Sequence, residues 1–163
     1  MPEHWLSYSD SGLAWVNANK TETASSTKVA TLPCLFINEY GFHTGVHLWR
    51  GYFHGTTTGV FLSVQGGIAH GWSAFINGEP INSFFGSTSS PTGTQTLSFA
   101  NATLNNAGPN VLLVMQDNSG RDEYSGALNV HGILNATLNG GNLVQVQLVE
   151  GNRHGRRLNN YFP

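Results

Sequence analysis

Apolar and polar residues along this chain alternate with a period of two almost everywhere, the signature of half-buried strands rather than helices. In "VHLWRGYFHG" (residues 46–55), Val46, Leu48, Arg50 and Tyr52 fall on one side of a strand, and His47, Trp49, Gly51 and Phe53 on the other. If the first set faces the core, Arg50 is buried with it and His47 and Trp49 are displayed together outside. The same pattern predicts strands at "VFLSVQ" (60–65), "GWSAFING" (71–78), "TQTLSFA" (94–100), "NVLLVMQD" (110–117), "GILNATLN" (132–139) and "LVQVQLVE" (143–150). Turn residues separate them, and Asn77-Gly78 inside "AFINGEPINSFFG" is the strongest short hairpin signal available. The near-continuous apolar run "NVLLVMQ" predicts a strand covered on both faces or crossing the middle of a sandwich. Eight or more short strands at a spacing of roughly 8–12 residues predict an all-β jelly-roll sandwich. With no linker and no internal repeat, one domain is expected over residues 1–163.

Composition narrows the function classes. Only 10% of the residues are charged, with 20 Gly and many Asn, Ser and Thr in their place, which argues against helix bundles and coiled coils. The net charge is −2, and the only basic cluster is Arg153, Arg156 and Arg157 near the C-terminus, read as a solvated tail. Nucleic acid is therefore excluded as a partner, since displacing phosphate counterions needs a basic face. No apolar run approaches the ~20 residues of a spanning helix, so membrane insertion is not expected. No signal peptide is visible at "MPEHWLSYSD", and the compartment stays open between secreted and cytoplasmic. The single Cys34, within "LPCLFIN", excludes an internal disulfide and reads as an inert buried thiol.

The densest chemistry lies in "EYGFHTGVHLWRGYFHG" (39–55), which holds three of the seven His. His43 and His47 are four apart, a spacing that on a strand spreads over ~13 Å and gives no metal pair. These His are read as strand-end or solvent-face residues. Hydrolysis of a glycosidic bond needs two opposed carboxyl groups. The only dense acidic group is "DNSGRDE", with Asp117, Asp122 and Glu123, and it lacks the remaining spacing of an EF-hand loop. Asp122 or Glu123 paired with Arg50 is the structural reading of the same residues. No nucleophile elbow, phosphate loop or dinucleotide fingerprint appears, and neither metal nor cofactor is called for. Sugar binding asks less: an aromatic ring to stack on, and a few forked donors and acceptors. His70 and Trp72 stand just past a Gly-Gly turn, and "DNSGRDEY" supplies Asp117, Asn118, Arg121, Glu123 and Tyr124. Trp72 also fits a core position.

Four motifs in order carry a family resemblance: "EYGFHTGVHLWRGYF" (39–53), "VQGGIAHGWSAFING" (64–78), "QDNSGRDEY" (116–124) and "HGILNATLNG" (131–140), with "SGLAWVNANKTET" (11–23) as a lead-in strand. The chain resembles the small C-terminal jelly-roll, galactose-binding-like domains of fungal glycoside hydrolase family 35 β-galactosidases over roughly residues 5 to 150. The resemblance implies an accessory sandwich, because the two catalytic glutamates of those enzymes lie on a separate TIM barrel with no counterpart here. Arg50, Gly66, Gly67, Asn118, Asp122 and Glu123 match the family pattern. Ser119, Arg121, Tyr124, Val130, His131, His70 and Trp72 depart from it.

Two functions follow as expectations. The first is a non-catalytic, lectin-like domain, with galactose-containing glycans as partners through the family resemblance. Its site would be His70, Trp72, Asp117, Asn118, Arg121, Glu123 and Tyr124. One stacking ring and a few hydrogen bonds give affinities on the order of millimolar to tens of micromolar, so avidity would call for a homo-oligomer. The alternative is a structural accessory module of a β-galactosidase with no ligand of its own.

Overall fold

The structure, a computed structural model, describes residues 16–42, 45–67, 70–90, 92–118, 130–139 and 145–151. The elements are β1 (Val16–Asn17), β2 (Leu35–Phe36), a 3-10 turn (Ile37–Tyr40), β3 (Gly45–His54), β4 (Gly59–Gln65), β5 (His70–Ile76), β6 (Glu79–Phe85), β7 (Thr92–Ser98), β8 (Pro109–Asn118), β9 (Gly132–Leu138) and β10 (Gln145–Gly151). They form a six-stranded sheet in the order β1-β10-β3-β8-β5-β6 and a four-stranded sheet in the order β2-β9-β4-β7. Every pairing is antiparallel, and from β3 onward every connection except the β5–β6 hairpin crosses between the sheets. The protein is an all-β jelly-roll sandwich, as the period-two pattern predicts.

Side-chain alternation positions the core. Trp49 and Phe53 of β3, Trp72, Ala74 and Ile76 of β5, and Leu112 and Val114 of β8 meet Val60, Leu62 and Val64 of β4, Leu97 of β7 and Ile133 of β9. A smaller cluster of Cys34, Phe36 and Val130 seals one margin. The β5–β6 hairpin turns at Asn77 (φ 50°) and Gly78 (φ 88°), both left-handed, which suits the Asn-Gly pair and matches the twist of the flanking strands. Asn77 then locks the turn to β8, accepting from the Val111 N–H through Oδ1 (2.8 Å).

Two sequence expectations are corrected. On β3 the faces are reversed: His47, Trp49, Gly51 and Phe53 point inward, while Val46, Leu48, Arg50 and Tyr52 form the half-buried outer face. The aromatic pair buries more apolar surface than Val46 and Leu48 would, and the Arg50 guanidinium escapes the cost of full desolvation, lying 5.6 Å over the Tyr52 ring. His47 is accordingly fully buried, not a solvent-face residue, whereas His54 is exposed at the strand end; His43 lies outside the described residues. The second correction concerns β8. It runs between β3 and β5, yet only Asn110, Leu112, Val114 and Gln116 are buried, and Val111, Leu113 and Met115 on the other face are half-buried. The pairing of Arg50 with Asp122 or Glu123 falls on residues outside the described set.

Candidate functional site

Register brings an unusual set of polar side chains together at one end of the core. His47 on β3 is the cross-strand partner of Gln116 on β8, and Gln116 is in turn the partner of Trp72 on β5. All three point inward, with His47 and Gln116 completely buried and Trp72 nearly so. Trp49 stands two pairs along from His47 on the same face, and His70 two pairs beyond Trp72 toward the strand end, also buried. The residues are polar at positions where the alternation demands core.

Hydrogen bonding satisfies only part of this row. Gln116 donates from Nε2 to the Gln65 carbonyl (2.9 Å), which ties the row to the opposite sheet. His70 lies 2.5 Å from the Gly67 carbonyl through Nδ1, and because a carbonyl only accepts, Nδ1 carries the proton. Among the described residues, both ring nitrogens of His47, Gln116 Oε1, His70 Nε2 and the indole nitrogens of Trp49 and Trp72 find no partner. Each such group costs on the order of 1–3 kcal/mol when left unpaired. Burial first, and then the neighbouring His131, hold His47 well below its ordinary value of 6.5, at about 4. Burial also lowers His70, against the opposing bond to the Gly67 carbonyl. The row is therefore neutral at pH 7: imidazoles with one donor and one acceptor each, an amide oxygen and two indole N–H groups. The row contains no carboxylate, and hydrolysis between opposed acids has no purchase there. Among the described residues no three His, Cys, Asp or Glu converge as a metal site.

The rings at this end are packed rather than displayed. Trp72 stacks on Phe84 (6.0 Å between ring centres, 18° between planes), and His70 leans on the same ring at 5.6 Å. A Cβ on Gly93 of β7 would come within 2.4 Å of Trp72 Nε1, so only glycine lets the indole lie against that strand. Tyr40 meets Trp49 edge-on at 6.0 Å, and its hydroxyl donates to the Cys34 carbonyl (2.7 Å).

Of the sugar-site residues expected from sequence, the strands bring four to the same end. His70 pairs with Asn118, and Gly71, beside Trp72, pairs with Asp117. The sheet then separates them: His70 and Trp72 are buried among core side chains, and Asp117 stands half-buried on the opposite face. Trp72 therefore takes the core position that its sequence context also allowed, and neither it nor His70 offers a surface ring for a sugar to stack on. Arg121, Glu123 and Tyr124 lie outside the described residues, as does the Asn118 side chain. Sequence reading missed His47, Gln116 and His131 as buried polar groups. The signal was present, since His47 alternates in phase with Trp49 and Phe53, but it is decided only by which face turns inward.

Comparison with known proteins agrees with this architecture. Residues 8–122 match the family described as "Beta-galactosidase second all-beta domain". The chain is 54% identical over 140 residues to the "Probable beta-galactosidase B" of Pyrenophora tritici-repentis, which covers 86% of this chain and 14% of the relative. It is 49% identical to the protein of that name from Penicillium rubens over the same shares. The Sclerotinia sclerotiorum relative is 54% identical over 138 residues, 85% of this chain and 14% of its own length. The chain thus spans about one seventh of the curated relatives it matches.

Proposed function

Because the chain belongs to the family of β-galactosidase second all-β domains, we propose that it is a non-catalytic accessory module of a β-galactosidase-type enzyme, supplying structure rather than chemistry. The observation that carries this reading is the asymmetry of the match: nearly all of this chain aligns, yet it accounts for only 14% of the relatives. The described acids fit such a role. Glu39 caps the segment before β2, accepting from Thr23 Oγ1 (2.5 Å) and the Ala24 N–H (3.1 Å), and Asp117 stands on the outer face of the six-stranded sheet. A rigid sandwich with a filled interior is well suited to brace a larger chain.

The test is binding and turnover by the 163-residue chain itself. Calorimetric titration with galactose and lactose to tens of millimolar, and incubation with a chromogenic β-galactoside, should give neither saturable heat nor product. Saturable lactose binding that vanishes in Arg121→Ala would replace this reading with the lectin-like one, in which the Asp117–Tyr124 segment grips a β-galactoside. Turnover that vanishes in Glu123→Gln would make the chain a hydrolase.

A further inference from the structure

The two outward faces of the sandwich differ in their balance of apolar and polar residues. On the four-stranded sheet, Thr94, Thr96 and Ser98 of β7 are exposed, Ser63 of β4 shares a hydrogen bond with Thr94 (2.8 Å), and Thr137 donates to Asn135 on β9 (2.9 Å). That is a hydroxyl and amide ladder suited to water, interrupted by one half-buried ring, Phe61 of β4. On the six-stranded sheet, the outer positions of β3 and β8 include Val46, Leu48, Tyr52, Val111, Leu113 and Met115, all half-buried, with the charged Arg50 among them and Asp117 opposite Val46 at one edge. Register makes them one patch: Tyr52 pairs with Val111, Leu48 with Met115, and Leu113 lies opposite Arg50 between those pairs. An antiparallel sheet that faces water alternates apolar-in with polar-out, and contiguous apolar patches on the outside mark contact surfaces.

Resting on the accessory-module reading above, we propose that this apolar outer face of the six-stranded sheet is the surface by which the module docks onto a neighbouring domain of the β-galactosidase chain. The occupant follows from proportion and family. Most of each relative's length lies outside the match, and a "second" all-β domain implies companions in the same polypeptide. Side-chain chemistry agrees, because Leu, Met, Val and Tyr are suited to a large dry contact of the kind that holds domains in fixed orientation. The Thr-rich face of the other sheet then points to solvent.

The experiment grafts this chain into the Pyrenophora tritici-repentis relative in place of the matching segment, and follows β-galactosidase activity and its heat-inactivation half-life. The parent graft is compared with a deletion of the segment, with Leu48→Lys/Met115→Lys, and with Thr94→Lys/Thr96→Lys. The parent graft is expected to outlast the deletion, the Leu48/Met115 pair to shorten the half-life at least tenfold, and the Thr94/Thr96 pair to change it less than twofold. The same pairs in the free chain should unfold within a few degrees of the parent; if Leu48→Lys/Met115→Lys does not fold alone, Val46→Lys at the strand start decides in its place. An unchanged half-life for the Leu48/Met115 pair would overturn the docking face while leaving the accessory role intact. A parent graft no better than the deletion would overturn the accessory reading itself. A dimer of the free chain that the Leu48/Met115 pair dissolves, with the graft unaffected, would assign the face to a second copy and sink the proposal.

Discussion

At the end of the sandwich that carries the β5–β6 turn, a single buried amide is fully engaged. Asn110 accepts from Asn77 Nδ2 (2.8 Å) and the Asn105 N–H (2.7 Å), and donates to the carbonyls of Gly55 (3.2 Å) and Asn105 (3.0 Å). At the opposite end of the same strand, Gln116 is equally buried but makes one bond, and His47, His70, Trp49 and Trp72 around it keep ring nitrogens without partners among the described residues. The same chemistry is thus used in two ways. One end is a polar lock, with every donor and acceptor matched. The other is a polar interior that tolerates unmatched groups, surrounded by aromatic rings whose packing offsets them. A fully matched buried network strengthens and specifies a fold, whereas a partly matched one stores a cost.

Substitutions at the two ends turn that contrast into numbers, in order of expected size. Trp72→Ala removes a packed ring from the unmatched end and should cost about 3–5 kcal/mol in a denaturant titration. A loss below about 1 kcal/mol would mean the ring is not core after all. Asn110→Ala breaks four bonds at the matched end and strands their buried partners, an expected loss of about 3 kcal/mol. In a chain of this length that is a fall of the melting midpoint by roughly 10 °C. The unmatched end should also be pH-sensitive. The folded-state value of His47 is about 4 against 6.5 unfolded, so between these values the unfolded chain binds more protons and stability falls as pH falls. From pH 7.5 to 5 the loss traceable to His47 should be about 2 kcal/mol, complete only below pH 4, and His47→Leu should remove that slope. Equal pH slopes in parent and variant would show that His47 is not the group responsible. Smallest of all, Gln116→Leu should change stability by less than about 1 kcal/mol, since it trades one bond for relief of an unmatched oxygen. A cost equal to that of Asn110→Ala would erase the distinction between the ends.

Much of the fold is legible in the sequence because strand periodicity is a local property. The runs at 60–65, 71–78, 94–100, 110–117, 132–139 and 143–150 appear as strands with no boundary moved by more than two residues, and the Asn77-Gly78 hairpin turns where its residues require. The four-residue 3-10 turn at Ile37–Tyr40 and the two-residue β2 carry too few positions to show a period. The candidate site was harder to read. Alternation sorts His47 with Trp49 and Arg50 with Leu48, but both faces of β3 hold apolar residues. Which face turns inward is set by the partner sheet, where Val60, Leu62 and Val64 wait for aromatic rings. The polar lock at Asn110 was invisible for the same reason: its partners lie up to 55 residues away in sequence.

Cys34, the chain's one sulfhydryl, sits beneath Phe36 and Val130 with none of its surface exposed, and burial pushes its thiol above the usual range. Scarcity of thiolate and lack of access together shield it from alkylating and oxidising reagents while the sandwich is closed. Nature has in effect installed a silent clock: the rate at which an aromatic disulfide stains this one atom would count the moments when β2 peels away from β9.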